Sequence, residues 1–488
     1  MSYFSFLGHP MNLKRCLSFL VVCVFTFFLA LVPTSFYGIN PETGLPIFTL
    51  TQQRVIAIFV FTAMMWILEV IPTWTTSVVA IVAILLTTSN KGLGFLMSGD
   101  NLGEMTNYKS IMAAFADPVI MLFLGGFVLA FAATKVGLDV QLARVMLKPF
   151  GNKPKNVLLG VLLVIGVFSM FMSNTATAAM MLTFLAPVLM TLPSDGGGRI
   201  SFALAIPIAA NLGGMGTPIG TPPNAIALGA LQDAGYNLTF VGWMIRMIPF
   251  VIVMLFFAWF LLMKMFPFKA KTIELKIEGA PVKVTPFQKY VVWITFALTI
   301  ILWIGESVFG VNSNIVAMIP FAVFSATGIL KSRDLESINW AVLWMVAGGF
   351  ALGTALNQTG LATTLINTIP FASWNAIVVM LVGGFICYFL SNFISNSAAA
   401  NLVVPILVVV GKAMSGNPAF ESLGGVPAMI IGIAICASIA MCLPVSTPPN
   451  ALAASTGMIT TKQMATVGII IGVVGFVLGY LMLVFIGF

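Results

Sequence analysis

Charged side chains are scarce in this chain. Lysine and arginine number 22 and aspartate and glutamate 14, together 7% of 488 residues, against about 25% in an ordinary soluble domain. A soluble chain of this length needs far more charge to cover its surface, so a soluble enzyme is excluded. Hydrophobic residues make up 60%, which excludes intrinsic disorder as well. Histidine occurs once, as His9, so Ser-His triads, HExxH zinc sites and imidazole chemistry inside a membrane are absent. Cys16, Cys23, Cys387, Cys436 and Cys442 lie in apolar runs without metal-ligand spacing. They are expected to be reduced and packed. No catalytic acid, base or metal cluster is visible in an apolar run, so the chain reads as no enzyme.

Long apolar runs are what the chain has. They are continuous rather than alternating, which excludes a lipid-facing β-barrel. A first run, from Leu17 to Val32, follows Lys14-Arg15 and has no clean cleavage site after it, so it reads as a retained span rather than a signal peptide. Further segments lie at 54–72, 74–89, 118–136, 157–192, 200–232, 240–266, 288–305, 312–330, 341–357, 373–411, 426–458 and 465–487. The segments 157–192 and 373–411 are too long for single spans and are interrupted by Ser/Asn clusters. Each is two short spans or one re-entrant hairpin; the hairpin reading is taken here. The fold class is then an all-α polytopic membrane protein with about 11 transmembrane helices plus two re-entrant hairpins. With the N-terminus inside, all basic residues except Arg54, Lys91, Lys109, Arg246 and Lys412 fall on the cytoplasmic side, as the positive-inside rule demands. The net charge of +8 is thereby explained without nucleic acid. A bacterial inner membrane is the expected location.

The chain also repeats itself. Trp66-Ile67-Leu68-Glu69 recurs as Trp303-Ile304-Gly305-Glu306, and Val79-Ala80 as Val316-Ala317. Gly125-Gly126-Phe127 with Gly137-Leu138 recurs as Gly348-Gly349-Phe350 with Gly360-Leu361. Ser169-x3-Ser173-Asn174-Thr175 recurs as Ser391-x3-Ser395-Asn396-Ser397, and Thr221-Pro222-Pro223-Asn224 as Thr447-Pro448-Pro449-Asn450. The order is the same and the offset is roughly 220–240 residues throughout. An odd number of crossings separates the two Ser-Asn motifs, so the halves are expected to be inverted, as in many secondary transporters. The organisation expected is an N-terminal span and loop at 1–52, a first inverted repeat at 53–266, a charged cytoplasmic linker at 267–287 and a second repeat at 288–488. Hairpins fall at 157–192 and 373–411, broken helices at 200–232 and 426–458.

The motifs set the chemistry. Polar clusters in apolar segments are costly unless a partner, water or ligand satisfies them. Ser173-Asn174-Thr175 and Ser395-Asn396-Ser397 supply neutral donors and acceptors. The runs Gly213–Pro223 and Leu443–Pro449 cannot continue as helix, because proline removes donors and glycine favours unwinding. A lone cluster of either kind is usually a kink or interhelical glue; both devices occurring twice in one order point to a site. Helix N-termini bind anions, and unwound carbonyls bind cations such as Na⁺. None of the four motifs contains a charged residue or histidine, which suits reversible anion binding and argues against a proton relay. Glu69 and Glu306 fall near span ends and read as structural, and Asp117-Pro118 as a helix N-cap.

These paired Ser-Asn motifs, each followed by a Thr-Pro-Pro-Asn break, resemble the divalent anion/sodium symporter family over roughly residues 50–488. The resemblance implies a homodimer in which scaffold domains meet and transport domains move by an elevator mechanism. It implies a Na⁺-coupled symporter importing di- or tricarboxylates such as succinate, fumarate or malate, with Na⁺, a small carboxylate anion and the lipid bilayer as partners. It also implies a first Na⁺ site at Ser169, Ser173, Asn174 and Gly220, and a second at Ser391, Ile394, Asn396 and Ser446. Substrate carboxylates would meet Asn174 and Thr175 on one side and Asn396 and Ser397 on the other. Thr221-Pro222 and Thr447-Pro448 would close the site. The second motif ends in Ser397 where the family pattern has threonine, which keeps the hydroxyl, loses a methyl and leaves substrate size open. A Na⁺-independent dicarboxylate exchanger, and sulfate or citrate as substrate, are the alternatives.

Overall fold

A computed structural model describes residues 4–6, 9–11, 13–41, 44–99, 101–193, 197–273 and 284–486. The most charged part of the expected linker, with Glu274, Lys276, Glu278 and Lys283, lies outside the described residues.

The protein is an all-helical membrane protein apart from a short antiparallel strand pair, Phe4–Phe6 with His9–Met11. Helix α1 (Leu13–Leu31) is followed by α2 (Leu50–Leu68), α3 (Thr73–Thr87), α4 (Pro118–Lys135) and a short α5 (Leu138–Leu147). The first hairpin is α6 (Pro154–Phe171) and α7 (Asn174–Thr191); the first broken helix is α8 (Gly197–Gly214) and α9 (Pro222–Asp233). After α10 (Phe240–Met265) and α11 (Pro286–Ile304) comes α12 (Ser313–Ala326). The second half continues with α13 (Trp340–Gln358), α14 (Leu361–Thr368), the hairpin α15 (Ala376–Ser391) and α16 (Asn396–Met414), and the broken helix α17 (Gly425–Ser438) and α18 (Pro448–Ser455). Helix α19 (Thr461–Ile486) ends it. Among the described residues, eight helices are long and apolar enough to cross a bilayer, with five shorter apolar helices beside them.

Local chemistry explains the boundaries. Thr49 with Gln52 and Thr285 with Gln288 form reciprocal capping boxes at the starts of α2 and α11. Asp117 accepts from Val119 N at 2.8 Å ahead of Pro118, the N-cap read from the sequence. The two long segments break at their Ser-Asn clusters because Ser173 and Ser395 cap the next helix, accepting from Ala176 N and Ala398 N at 3.2 Å. Glu306 accepts from Phe240 N and Ser313 N, so it ties helix ends together. The five cysteines are unpaired.

Contacts recur between the halves. Trp66 Nε1 donates to Thr73 O at 3.1 Å and Trp303 Nε1 to Ser313 O at 3.0 Å. Gly125 has no room for a Cβ beside Ala317, nor Gly348 beside Ser77. Thus α12 lies against α4 and α3 against α13, each half lending a helix to the other. The short helices after the breaks cross over likewise. Helix α9 packs on α16 and α17, and α18 on α7 and α8. This exchange carries both breaks and both hairpin tips to one place.

Candidate functional site

The meeting point is a cavity of about 250 Å³. Its walls hold Ser173, Asn174 and Thr175 of the first hairpin and Gly220, Thr221 and Pro222 of the first break. Facing them are Ser395, Asn396 and Ser397 of the second hairpin and Ser446, Thr447 and Pro448 of the second break. Residues separated by more than half the chain therefore share one space. Ser169 and Ser391 stand behind the tips, and Ile394 is buried beside its tip without lining the cavity.

The N-termini of α7, α9, α16 and α18 all open on this cavity, since Asn174, Pro222, Asn396 and Pro448 are their first residues. Each contributes the positive end of a helix dipole; α7 and α16 add backbone N–H groups at Asn174, Thr175, Asn396 and Ser397, whereas α9 and α18 open with two prolines, which have none. No acidic, basic or histidine side chain is among the described residues lining it. The arrangement attracts an anion without a fixed cation.

Behind each tip is the same serine-asparagine pair. Ser169 Oγ lies 2.7 Å from Asn174 Oδ1 and 2.6 Å from Ala210 O. Ser391 Oγ lies 2.8 Å from Asn396 Oδ1 and 2.7 Å from Ala437 O. The orientation of the Asn174 amide decides what the first cluster is. With Oδ1 inward it faces Ala210 O at 3.2 Å, Gly220 O at 3.1 Å and Ser169 Oγ at 2.7 Å; with the amide turned, Nδ2 donates to all three. Four oxygens then converge with the Ser169 hydroxyl as their one donor, a set that could hold a cation. The turned amide is what the same pocket needs without one. These residues fit a Na⁺ ion.

The breaks are held open by asparagines. Asn224 Nδ2 donates to Gly214 O at 3.0 Å and Thr217 O at 2.7 Å. Asn450 Nδ2 donates to Met441 O at 2.8 Å and Leu443 O at 3.0 Å. Carbonyls freed by unwinding are thereby satisfied inside the protein.

Several participants escaped the sequence reading. Asn211 lines the cavity and its Nδ2 donates to Thr447 Oγ1 at 3.1 Å and Asn450 Oδ1 at 3.2 Å, linking α8 to the opposite break. Asn392 accepts from Cys442 N through its side chain and from Ser446 Oγ through its carbonyl, fixing one tip to one break. Its signal was its place beside Ser391 in the second motif. Thr73, Phe123, Phe127, Asn339 and Met345 complete the wall from α3, α4 and the start of α13; nothing local in the sequence marks them.

A citrate transporter family model matches residues 63–423. The chain belongs to this family. The divalent anion/sodium symporter resemblance read from the doubled motifs stands, and the family makes the protein a transporter. The sodium-dependent dicarboxylate transporter SdcS of Staphylococcus saprophyticus is 30% identical over 452 residues, 85% of this chain and 82% of that one. An uncharacterised transporter of Haemophilus influenzae is 32% identical over 445 residues, 86% of this chain and 88% of its own length. Among solved structures, the Alcanivorax borkumensis YdaH transporter matches with a TM-score of 0.55 at 14% identity, covering 89% of this chain and 98% of that one. That likeness speaks for the transporter fold alone.

Proposed function

We propose that the protein is a Na⁺-coupled symporter that imports small dicarboxylates such as succinate, fumarate or malate. The observation that carries this reading is the convergence of four helix N-termini and both Ser-Asn motifs on one cavity without a charged wall. The anion is held by dipoles, amides and hydroxyls, and co-bound Na⁺ at Ser169, Ser173, Asn174 and Gly220, and at Ser391, Ile394, Asn396 and Ser446, balances its charge. When Na⁺ leaves, the neutral walls no longer hold a dianion, which couples release to the ion. A cavity of about 250 Å³ lies below the roughly 300–1,000 Å³ of drug-sized pockets, in favour of a four-carbon diacid over citrate. The dicarboxylate named in the SdcS relatives agrees with it.

In this reading the halves are inverted repeats, residues 53–266 and 288–488, joined by a linker at 267–287. Hairpins and broken helices form a transport domain that moves as an elevator against a scaffold forming a homodimer, in a bacterial inner membrane with the N-terminus cytoplasmic. Helices α5 and α14 join the two domains through left-handed glycines, Gly137 (φ 69°) and Gly360 (φ 70°). Succinate uptake into proteoliposomes tests the proposal, with an inward Na⁺ gradient against an equal K⁺ gradient. Uptake is expected only with Na⁺, and to vanish in Asn174→Ala and Asn396→Ala at normal membrane expression. Uptake that ignores Na⁺ and requires internal dicarboxylate would make the protein an exchanger.

A further inference from the structure

The largest cavity described is not the one between the hairpin tips. It encloses about 790 Å³ between α5 and the start of α11. Gly137, Gln141 and Arg144 form one side, and Lys289, Tyr290 and Trp293 the other. No acidic side chain is among the described residues lining it. Below it, α11 presents an apolar stripe outward: Tyr290 is 67% exposed, Ile294 65% and Ile301 55%.

The other half treats the corresponding place differently. Helices α2 and α11 both open with a Thr-Gln capping box and both carry the recurring tryptophan. At the start of α2, Gln52 and Gln53 are buried. Gln52 Nε2 donates to Thr359 O at 3.0 Å and Thr364 Oγ1 at 3.1 Å, sealing α2 to α14. Gln53 Nε2 donates to Leu29 O at 2.8 Å and Val32 O at 2.6 Å, at the end of α1. Helix α1 stands outside the repeated segments and covers this face. The corresponding face of α11 is exposed at Tyr290 and Ile294, and Lys289 stands where α2 has the sealed Gln53.

We propose that this cavity binds the headgroup of an anionic phospholipid, which takes on α11 the place that α1 takes on α2. The phosphate lies between Arg144 and Lys289, where a basic pocket at the membrane surface attracts anionic lipid. Tyr290 and Trp293 sit at headgroup level, as interfacial aromatics do. The acyl chains run along the exposed stripe of α11. Because Gly137 lines the cavity, the lipid sits at the joint between α4 and α5.

The test uses the full-length protein in detergent, titrated with phosphatidylglycerol or with phosphatidylcholine of the same acyl chains, and read by native mass spectrometry. Phosphatidylglycerol is expected to bind about tenfold or more tightly than phosphatidylcholine. The Arg144→Gln/Lys289→Gln double variant should lose that preference, while Lys462→Gln, remote from the cavity, keeps it. Equal binding of the two lipids by wild type overturns the proposal, as does a preference that survives in the double variant. Displacement of phosphatidylglycerol by millimolar inorganic phosphate overturns it too, since the cavity would then be a site for free anion. A double variant that fails to fold leaves the wild-type comparison and the phosphate competition to decide.

Discussion

Gly214 offers a direct test of the first Na⁺ site. It ends α8 with an ordinary backbone, since it is not among the left-handed glycines. Alanine there costs nothing in backbone strain and gains about 1 kcal/mol in helix propensity. A Cβ at 214, however, would overlap Asn174 Oδ1 and stand 3.0 Å from both its Cγ and Nδ2. To regain ordinary contact the amide must yield by about 1 Å, and behind it Ser169, Ala210 and Gly220 leave no room. A displacement of this size at a positioned group costs up to about a hundredfold. Gly214→Ala should therefore raise the Na⁺ concentration for half-maximal succinate uptake by about tenfold to a hundredfold, with the melting midpoint unchanged or lowered, since overpacking costs about 1–3 kcal/mol. Gly353→Ala is the control, because a Cβ there meets nothing within 4 Å. Wild-type Na⁺ dependence in Gly214→Ala would refute the placement of the ion against Asn174.

Asn450→Ala removes three hydrogen bonds, the buried ones to Met441 O and from Asn211 and a part-buried one to Leu443 O, whereas Asn224→Ala removes two. At about 1 kcal/mol each, Asn450→Ala should lower the tryptophan-fluorescence melting midpoint further, and equal shifts would count against the cross-half bond. Ser397→Thr restores a methyl on the cavity wall and should change the succinate-to-citrate uptake ratio more than the Na⁺ dependence; an unchanged ratio speaks against Ser397 as a size filter. Lys135 Nζ lies 2.5 Å from Asp334, and its hydrogen bond holds the Asp334 carboxyl below its usual value of 3.8. The pair's contribution is full above that value and is lost as pH falls through the depressed one. The gap in melting midpoint between wild type and Lys135→Met should narrow as pH falls through that depressed value, leaving the part due to the Lys135 bond to Ile329 O, and a gap that does not narrow in acid would show the pair does not act through its charge.

The sequence by itself determined the membrane class, the helical segments and where they break. Those properties are local: an apolar run has one stable state in lipid, and Thr-Pro-Pro or Ser-Asn interrupts it wherever it stands. Asn174, Thr175, Thr221, Asn396, Ser397 and Thr447 were legible as candidates because polar groups in apolar segments demand partners, and because each motif occurs twice. Their meeting in one cavity was not local. It depends on α9 and α18 crossing to the opposite half, which no short window of sequence expresses.

Only the tertiary structure decided the rest. Asn211 is a single amide in an apolar run, and its bonds to Thr447 and Asn450 exist only once two distant helices touch. Phe123, Phe127 and Met345 resemble any core residue until α4 and α13 are set beside the hairpin tips. The inequality of the two halves was equally hidden. Gln53 and Lys289 occupy similar places on similar helices, and their surroundings diverge because α1 covers the first while Lys289 lines a cavity. A repeat in sequence fixes what each half can form alone; the partners a polar side chain finds are set by the packing around it, since a buried amide or charge is stable only where its neighbours complete it.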